Sequence, residues 1–184
     1  LKKAGIKDSK LLSPIQRENI YEKTISLLKD YKVEIILPEQ IDAALKDPRL
    51  NLNWLEALTS AKLIGQVECE KAILDCPSNN IEAYTNYVKK ELKNKVELVS
   101  EHKADLNHPI VSAASIIAKV TRDKLVEEIK HKIKIEFGSG YPSDPRTRLF
   151  LEKNYNKKEY SKYFRKSWNS YKRLKNKKSQ QKLI

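Results

Sequence analysis

The 184-residue sequence contains no methionine, only four glycines and only two cysteines. Cys69 and Cys76 have neither the spacing of a zinc site nor the number needed for a disulfide framework, so we expect reduced thiols in a cytoplasmic protein. The three histidines are scattered, which argues against a nitrogen–sulfur site for a transition metal. No apolar run approaches the ~20 residues of a membrane span, and no secretory leader opens the sequence, so we predict a soluble protein.

The missing methionine carries a second expectation. A reading frame starts with methionine, whereas this sequence opens LKKAGIKDSK. We therefore expect that the chain has been processed or trimmed, or that its beginning is missing.

Positive charge is abundant and concentrated near the end of the chain. The net charge is +13, and residues 151–184 alone hold twelve lysines and arginines against two acidic residues. Such a segment suits a polyanion, because each neutralised phosphate releases condensed counterions. The alternative is a solvated, lysine-rich face without a partner.

Helical and strand patterns alternate along the chain. Strands are predicted at VEIIL (33–37), at the start of KAILDCPSNN (71–80) and at VELVSEH (96–102). Helices are predicted over residues 14–30, 38–47, 51–66, 81–93 and 109–135, and short basic helices after the loop FGSGYPSDPRT. The alternation predicts an α/β sheet flanked by helices, with a helical C-terminal extension. Three strands are few for this class, which agrees with a missing N-terminal piece.

Two carboxylates follow neighbouring predicted strands. Asp75 ends one strand and Asp105 comes just after the next. Ligand sites in α/β sheets gather where strands end, and two adjacent carboxylates repel unless a cation lies between them. Magnesium, which prefers oxygen ligands, is the natural occupant. In the other interpretation, Asp75 forms a turn before Pro77 and Asp105 caps the helix that starts near Pro109.

Small residues open the helix after Asp105. Ser112, Ala113, Ala114 and Ser115 allow a helix to approach a sheet closely, which would hold the strand ends firmly. On this hypothesis, leucine in place of Ala114 is badly tolerated.

Several motifs together resemble ribonuclease HII in its archaeal form. They are KDSKLLS (7–13), LD (74–75), EHKAD (101–105), HPIVSAASIIAKVTRD (108–123) and GSGYPSDPRT (138–147). The resemblance implies a ribonuclease H-like mixed sheet flanked by helices. It also implies two domains, a catalytic domain over 1–148 that is incomplete at its N-terminus and a basic helical extension over 149–184.

The resemblance further implies an activity and a set of site residues. The family cleaves the RNA strand of RNA–DNA hybrids and cuts at ribonucleotides embedded in duplex DNA, leaving a 3′-hydroxyl and a 5′-phosphate. Asp75 and Asp105 match the third and fourth of four acids that bind Mg²⁺ or Mn²⁺ in a two-metal mechanism. Tyr141 matches a tyrosine that packs against the sugar, and Lys10 and Lys103 match substrate-binding positions. The implied partners are these duplexes, with no membrane, and the implied state is a monomer.

One family motif is missing from the sequence. Members open with a strand bearing D-E-A-G-R-G, which supplies the first two acids and a loop that reads the ribose 2′-hydroxyl, and no such segment occurs here. We therefore expect this chain by itself to be inactive.

Two other functions also account for parts of the sequence. A non-catalytic nucleic-acid-binding domain would use the basic tail and Tyr141 as its binding surface. A structural basic protein would explain the charge, but it leaves the small-residue helix and the loop GSGYPSDPRT without a purpose.

Overall fold

The computed structural model describes the backbone of residues 14–181, with the side chains of residue 16 and residues 18–176. In this part of the chain, helices predominate and the two strands are short. The elements in chain order are α1 (Pro14–Leu27), α2 (Pro38–Ala44), α3 (Leu52–Ile64), β1 (Lys71–Asp75), α4 (Ile81–Glu91), β2 (Glu97–Glu101), α5 (Ala104–Asn107), α6 (Pro109–Ile133), α7 (Pro145–Asn154), a 3-10 helix (Lys158–Tyr163) and α8 (Asn169–Gln181).

The chain forms two compact units. Among the described residues, the first unit contains those up to Glu34 together with Asn53–Arg122, and the second contains Ile35–Leu52 together with those from Asp123 onward. The predicted division into domains 1–148 and 149–184 stays a prediction. No helix within the described residues is both long enough and apolar enough to span a bilayer.

The first unit is built on the parallel pair of β1 and β2. Lys71 pairs with Glu97 at one end and Asp75 with Glu101 at the other. Parallel neighbours need a crossover, and α4 provides it, starting from Asn80, whose side chain accepts a hydrogen bond from the Ala83 N–H at 2.9 Å. The core combines residues of α3 and α4 with Cys76: Ala57, Ala61, Ile64, Cys76, Tyr84 and Val88.

The second unit has an aromatic core. Phe137 stacks on Phe150 with ring centroids 4.9 Å apart, and Phe164 lies 5.8 Å from Phe150. Tyr160 and Tyr171 pack against these three rings. Such clusters contribute beyond their buried area because ring edges and faces carry opposite partial charges.

The predicted strand at 33–37 is wrong. This segment is extended, but it joins no sheet among the described residues, and the backbone of residues 32–36 makes no hydrogen bond with them. Its β-branched composition favours an extended backbone, whereas strand formation also requires a neighbouring strand. The strand predictions at 71–80 and 96–102 are confirmed as β1 and β2.

The small-residue helix is confirmed as α6, but the predicted packing position is one residue off. Ala113 is fully buried, with Val111, Ser112 and Ile116 also buried, whereas Ala114 is exposed. One residue turns a helix by about 100°, which carries the next side chain off the packed face. The expectation that Ala114→Leu is badly tolerated therefore fails, and Ala113 takes its place.

Candidate active site at the carboxyl ends of the strands

The end of β1 positions Asp75. The strand pairing continues one residue past Asp75, since the Cys76 N–H donates to the Glu101 carbonyl at 2.9 Å. A ring nitrogen of His102, Nδ1, lies 3.0 Å from the Cys76 carbonyl oxygen. These contacts hold the ends of both strands together, while Asp75 itself is exposed to solvent.

A short helix brings Asp105 to the same strand end. Helix α5 begins at Ala104, whose N–H donates to Asp75 Oδ1 at 3.2 Å. Asp105 is the next residue and is only 5% exposed. The structure therefore brings the two predicted carboxylate residues into the same neighbourhood, on an element that the sequence patterns did not predict. Their roles as metal ligands stay a prediction.

Lys103 makes the turn between β2 and α5. Its backbone lies in the left-handed region with φ of 57°, which is uncommon for a residue other than glycine. Such strain persists only where the surrounding structure imposes it, and it is frequent at functional sites. Here it reverses the chain so that α5 returns to the end of β1. The Lys103 side chain is exposed.

Glu101 connects the end of β2 with the start of α6. Its Oε1 accepts a hydrogen bond from Asn107 Nδ2 at 2.9 Å and lies 3.0 Å from His108 Nε2. Because Asn107 ends α5 and His108 precedes α6, these contacts enclose the turn that carries Asp105. The turn is thus held at both ends.

Glu56 is a further acidic residue near Asp75 that sequence reasoning missed. The pKa of its carboxyl group is raised, first because surrounding protein desolvates it and second because Asp75 is negative. Glu56 remains solvent-exposed, so water screens this repulsion. The available signal was its position as the only charged residue between Asn51 and Ala61.

Tyr84 lies beneath the same group of charges. It is 1% exposed, and burial raises the pKa of its hydroxyl to about 12. A hydrogen bond with Ser60 opposes this shift, and the negative charges of Glu56 and Asp75 add to it. The phenol stays neutral at physiological pH. The exposed carboxylates of Asp75 and Glu56 thus lie over the buried ring of Tyr84.

The carboxylate oxygens at this strand end are the type of donor that a hard divalent cation prefers. Asp75 and Asp105 offer oxygen ligands, which Mg²⁺ and Mn²⁺ prefer. Within the described residues, no group of three or more His, Cys, Asp or Glu side chains is arranged to hold a metal ion. Two carboxylates still fit Mg²⁺, because this ion keeps several waters and commonly binds one or two carboxylates plus substrate phosphates.

The loop that carries Tyr141 belongs to the second unit and is held rigidly. Asp144 accepts the Ser139 N–H at 2.8 Å and the Arg146 N–H at 2.9 Å. Thr147 Oγ1 accepts the Gly140 N–H and donates to the Phe137 carbonyl, each at 2.9 Å. Tyr141 is 41% exposed at the tip of this loop. A fixed, exposed ring is what a sugar-packing residue needs, although that role stays a prediction.

Lys10 lies outside the described residues. The structure therefore leaves its predicted role as a prediction.

Solved structures with the same fold define the class of protein. The chain superposes on the crystal structure of the ribonuclease H2 from Pyrococcus horikoshii OT3 with a TM-score of 0.82 and 38% identity, covering 96% of this chain and 82% of that one. It superposes on the structure of the PCNA:RNase HII complex from Archaeoglobus fulgidus with a TM-score of 0.75 and 36% identity, covering 83% and 71%. The α/β, ribonuclease H-like fold is thereby confirmed.

The sequence comparisons agree with the fold. The family model of ribonuclease HII matches residues 1–171. Ribonuclease HII of Methanococcus maripaludis strain C5 is 48% identical over 177 residues, covering 92% of this chain and 72% of that protein. Ribonuclease HII of Pyrococcus furiosus is 36% identical over 177 residues, covering 95% and 77%.

The chain belongs to the ribonuclease HII family. It is an endonuclease of ribonuclease H type 2, and the resemblance inferred from the sequence motifs is confirmed.

Proposed function

We propose that the chain carries part of the active site of an endoribonuclease that uses Mg²⁺ or Mn²⁺. Its substrates are the RNA strand of RNA–DNA hybrids and single ribonucleotides embedded in duplex DNA, cut to leave a 3′-hydroxyl and a 5′-phosphate. The observation that carries this proposal is the hydrogen bond from the Ala104 N–H to Asp75 Oδ1, because it places the residue before Asp105 against the Asp75 carboxylate.

In this proposal, Asp75 and Asp105 would hold Mg²⁺ or Mn²⁺. When bound, such ions would lower the pKa of the attacking water and stabilise the leaving oxygen. Asp105 is held for this role by α5, and Glu101 fixes that turn through Asn107 and His108. Because the ligands sit on strand ends and short turns, their geometry is defined before substrate binds, which reduces the cost of reaching the transition state.

Substrate contacts in this proposal come from basic and aromatic side chains. Lys103, exposed beside Asp105, attracts the phosphate backbone, and Lys10 does the same. Tyr141 packs against the sugar next to the cut. Discrimination between RNA and DNA depends on the 2′-hydroxyl, which only RNA offers.

The test removes one carboxylate charge and leaves the side-chain shape. In the full-length protein, we expect Asp75→Asn to lower the rate of cleavage of a ribonucleotide-containing duplex by at least ~100-fold, because a metal ligand is weakened. Binding of the same duplex in EDTA should be unchanged or tighter. Cleavage is followed on a labelled duplex by gel electrophoresis, and binding by fluorescence anisotropy.

Glu97→Gln is the matched control. Glu97 is also an acidic residue at a strand end, but it is the first residue of β2 and forms an ion pair with Lys71. It therefore lies at the end of the strand pair opposite to Asp75. We expect this variant to cleave at the wild-type rate. If Asp75→Asn cleaves normally, the metal role of Asp75 is wrong. If the wild-type protein binds the duplex but does not cleave it in Mg²⁺ or Mn²⁺, a non-catalytic nucleic-acid-binding function becomes the better assignment.

We also propose that the enzyme acts as a monomer in the cytoplasm, in DNA replication and repair. The location is supported by Cys69 and Cys76, which are both free thiols.

A further inference from the structure

Cation–aromatic contacts are concentrated in one short segment, residues 157–168. Lys157 lies 5.8 Å from the ring centre of Tyr160, Lys162 lies 5.2 Å from that of Tyr163, and Arg165 lies 4.2 Å from that of Trp168. A cation within about 6 Å of a ring centre is attracted by the electron-rich face of the ring, and three such pairs lie within these twelve residues. The segment also has a strong charge excess, with five basic residues against one acidic residue: Lys157, Lys158, Lys162, Arg165 and Lys166 against Glu159.

The 157–168 segment is anchored to the rest of the second unit. Phe164 is buried in the aromatic core, and Tyr160 packs against Phe150 with ring centroids 5.5 Å apart. Asp42 of α2 accepts hydrogen bonds from the backbone N–H groups of Lys166 and Ser167 at 2.8 and 2.9 Å. The backbone is therefore held from two sides, while Lys157, Lys162 and Lys166 are exposed.

Arg165 is the half-buried cation of this segment. Within the described residues it forms no ion pair, and its Nε and Nη2 atoms are buried without a hydrogen-bond acceptor. Burial lowers the pKa of its guanidinium, and the negative charge of Asp42 opposes that shift. Both oxygens of Asp42 accept hydrogen bonds from backbone N–H groups. The positive charge of Arg165 therefore contributes to the potential of the segment, and it acts more strongly than in water because the guanidinium is partly desolvated.

We infer that the 157–168 segment is a docking surface for the phosphate backbone of a nucleic-acid duplex. The inference rests on the proposed function and adds the residues that hold the substrate away from the cut. The rings of Tyr160, Tyr163 and Trp168 are half-buried and already covered by cations, so they are poorly placed to stack on free bases. Tyr160 and Tyr163 instead hold the exposed side chains of Lys157 and Lys162 in place, which lowers the entropic cost of binding a phosphate. The segment therefore binds phosphates without reading bases.

The test measures how binding depends on salt. In EDTA, where no cleavage occurs, the full-length protein is titrated with an RNA–DNA hybrid over a range of salt concentrations. The triple variant K157Q/K162Q/R165Q should lower the slope of log affinity against log salt by roughly 2 to 3, since each phosphate contact contributes about 0.9. Because Arg165 is half-buried, the variant K157Q/K162Q changes only exposed lysines and should lower the slope by roughly 1 to 2.

The matched control removes three charges from α8 instead. We expect the variant K172Q/R173Q/K175Q to change the slope by less than half as much as the triple variant. A wild-type slope in both segment variants overturns the inference, as does an equal fall in the α8 control. Equal affinity for a single strand of the same length also overturns it, because base stacking would then be the mode of binding.

These results are independent of the catalytic proposal. Failure of the proposed metal role would appear as normal cleavage by Asp75→Asn, and failure of the nuclease function as no cleavage by the wild-type protein in Mg²⁺ or Mn²⁺. The salt slope in EDTA involves no turnover and would stand unaltered.

Discussion

Single backbone positions decide the shape of the Tyr141 loop. Gly138 has φ of +83°, and a Cβ added to it would meet Asp144 Oδ2 at 2.5 Å. Both the backbone angle and the contact exclude a side chain here, since a residue other than glycine in this region costs about 1–3 kcal/mol.

We therefore expect Gly138→Ala to lower the free energy of unfolding by about 1–3 kcal/mol. Gly65→Ala is the matched control, because a Cβ there would meet only two carbonyl oxygens at 3.5 and 3.6 Å. Chemical denaturation monitored by circular dichroism measures both variants. Equal stability of the two would show that the loop adapts to a side chain at 138.

Neighbouring alanines of α6 provide a second comparison at the scale of one residue. Ala113 is completely buried, whereas Ala114 is exposed. Overpacking a closely packed position costs about 1–3 kcal/mol, so Ala113→Leu should lower the thermal unfolding midpoint while Ala114→Leu leaves it nearly unchanged. Differential scanning fluorimetry of the two variants is sufficient. A larger effect at Ala114 would reverse the assignment of the packed face.

At the scale of elements, Asp144 joins the loop to the start of α7. Its carboxylate accepts the Ser139 N–H across the loop and caps α7 through the Arg146 N–H. The pKa of this carboxyl is well below its usual value, first because of the hydrogen bond from Ser139. A depressed pKa in the folded state means that the ionised form stabilises the fold, and this stabilisation is lost as pH falls.

Asp144→Asn should therefore destabilise the protein at pH 7, and the difference from wild type should shrink as pH falls below about 4, where the unfolded carboxyl takes up its proton. Urea unfolding at a series of pH values measures the difference. Glu152→Gln, at an exposed position of the same helix, is the control and should show little pH-dependent difference. A difference for Asp144→Asn that is independent of pH would mean that its charge is not what holds the loop.

The elements also show which information the sequence contains. The long helices and the strands 71–75 and 97–101 follow from local patterns. Apolar residues at helical or strand spacing form one apolar face, and this face is buried in whatever core the fold provides. The segment 33–37 has an equally good strand pattern but joins no sheet within the described part of the chain, since pairing depends on a partner strand that local composition does not encode. Helix α5 was not predicted because four residues are too few to show a period. The closeness of Asp75 to Asp105 was predictable only from the rule that ligand sites lie at strand ends.

At the scale of the whole molecule, charge and packing overlap in the C-terminal region. The residues that give the chain its positive charge lie among those that complete the aromatic core, notably Phe164 and Tyr171. The basic region therefore belongs structurally to the second unit, and removing it also removes core rings.

A chain cut after Phe150 should lose the cooperative unfolding transition of the second unit, because Phe164 and Tyr171 are removed with the tail. A chain cut after Lys172 keeps both rings and loses most of the charge of α8, so its transition should remain. Differential scanning calorimetry distinguishes the two chains. An intact transition in the shorter chain would show that the second unit does not depend on these rings.

The hydrogen bond between the Ala104 amide and Asp75 has a practical consequence for spectroscopy. Any cation that draws electron density from the Asp75 carboxylate weakens this bond, and the amide proton of Ala104 registers the change in its chemical shift. Occupancy of the strand end thus becomes visible in a nuclear magnetic resonance titration without substrate.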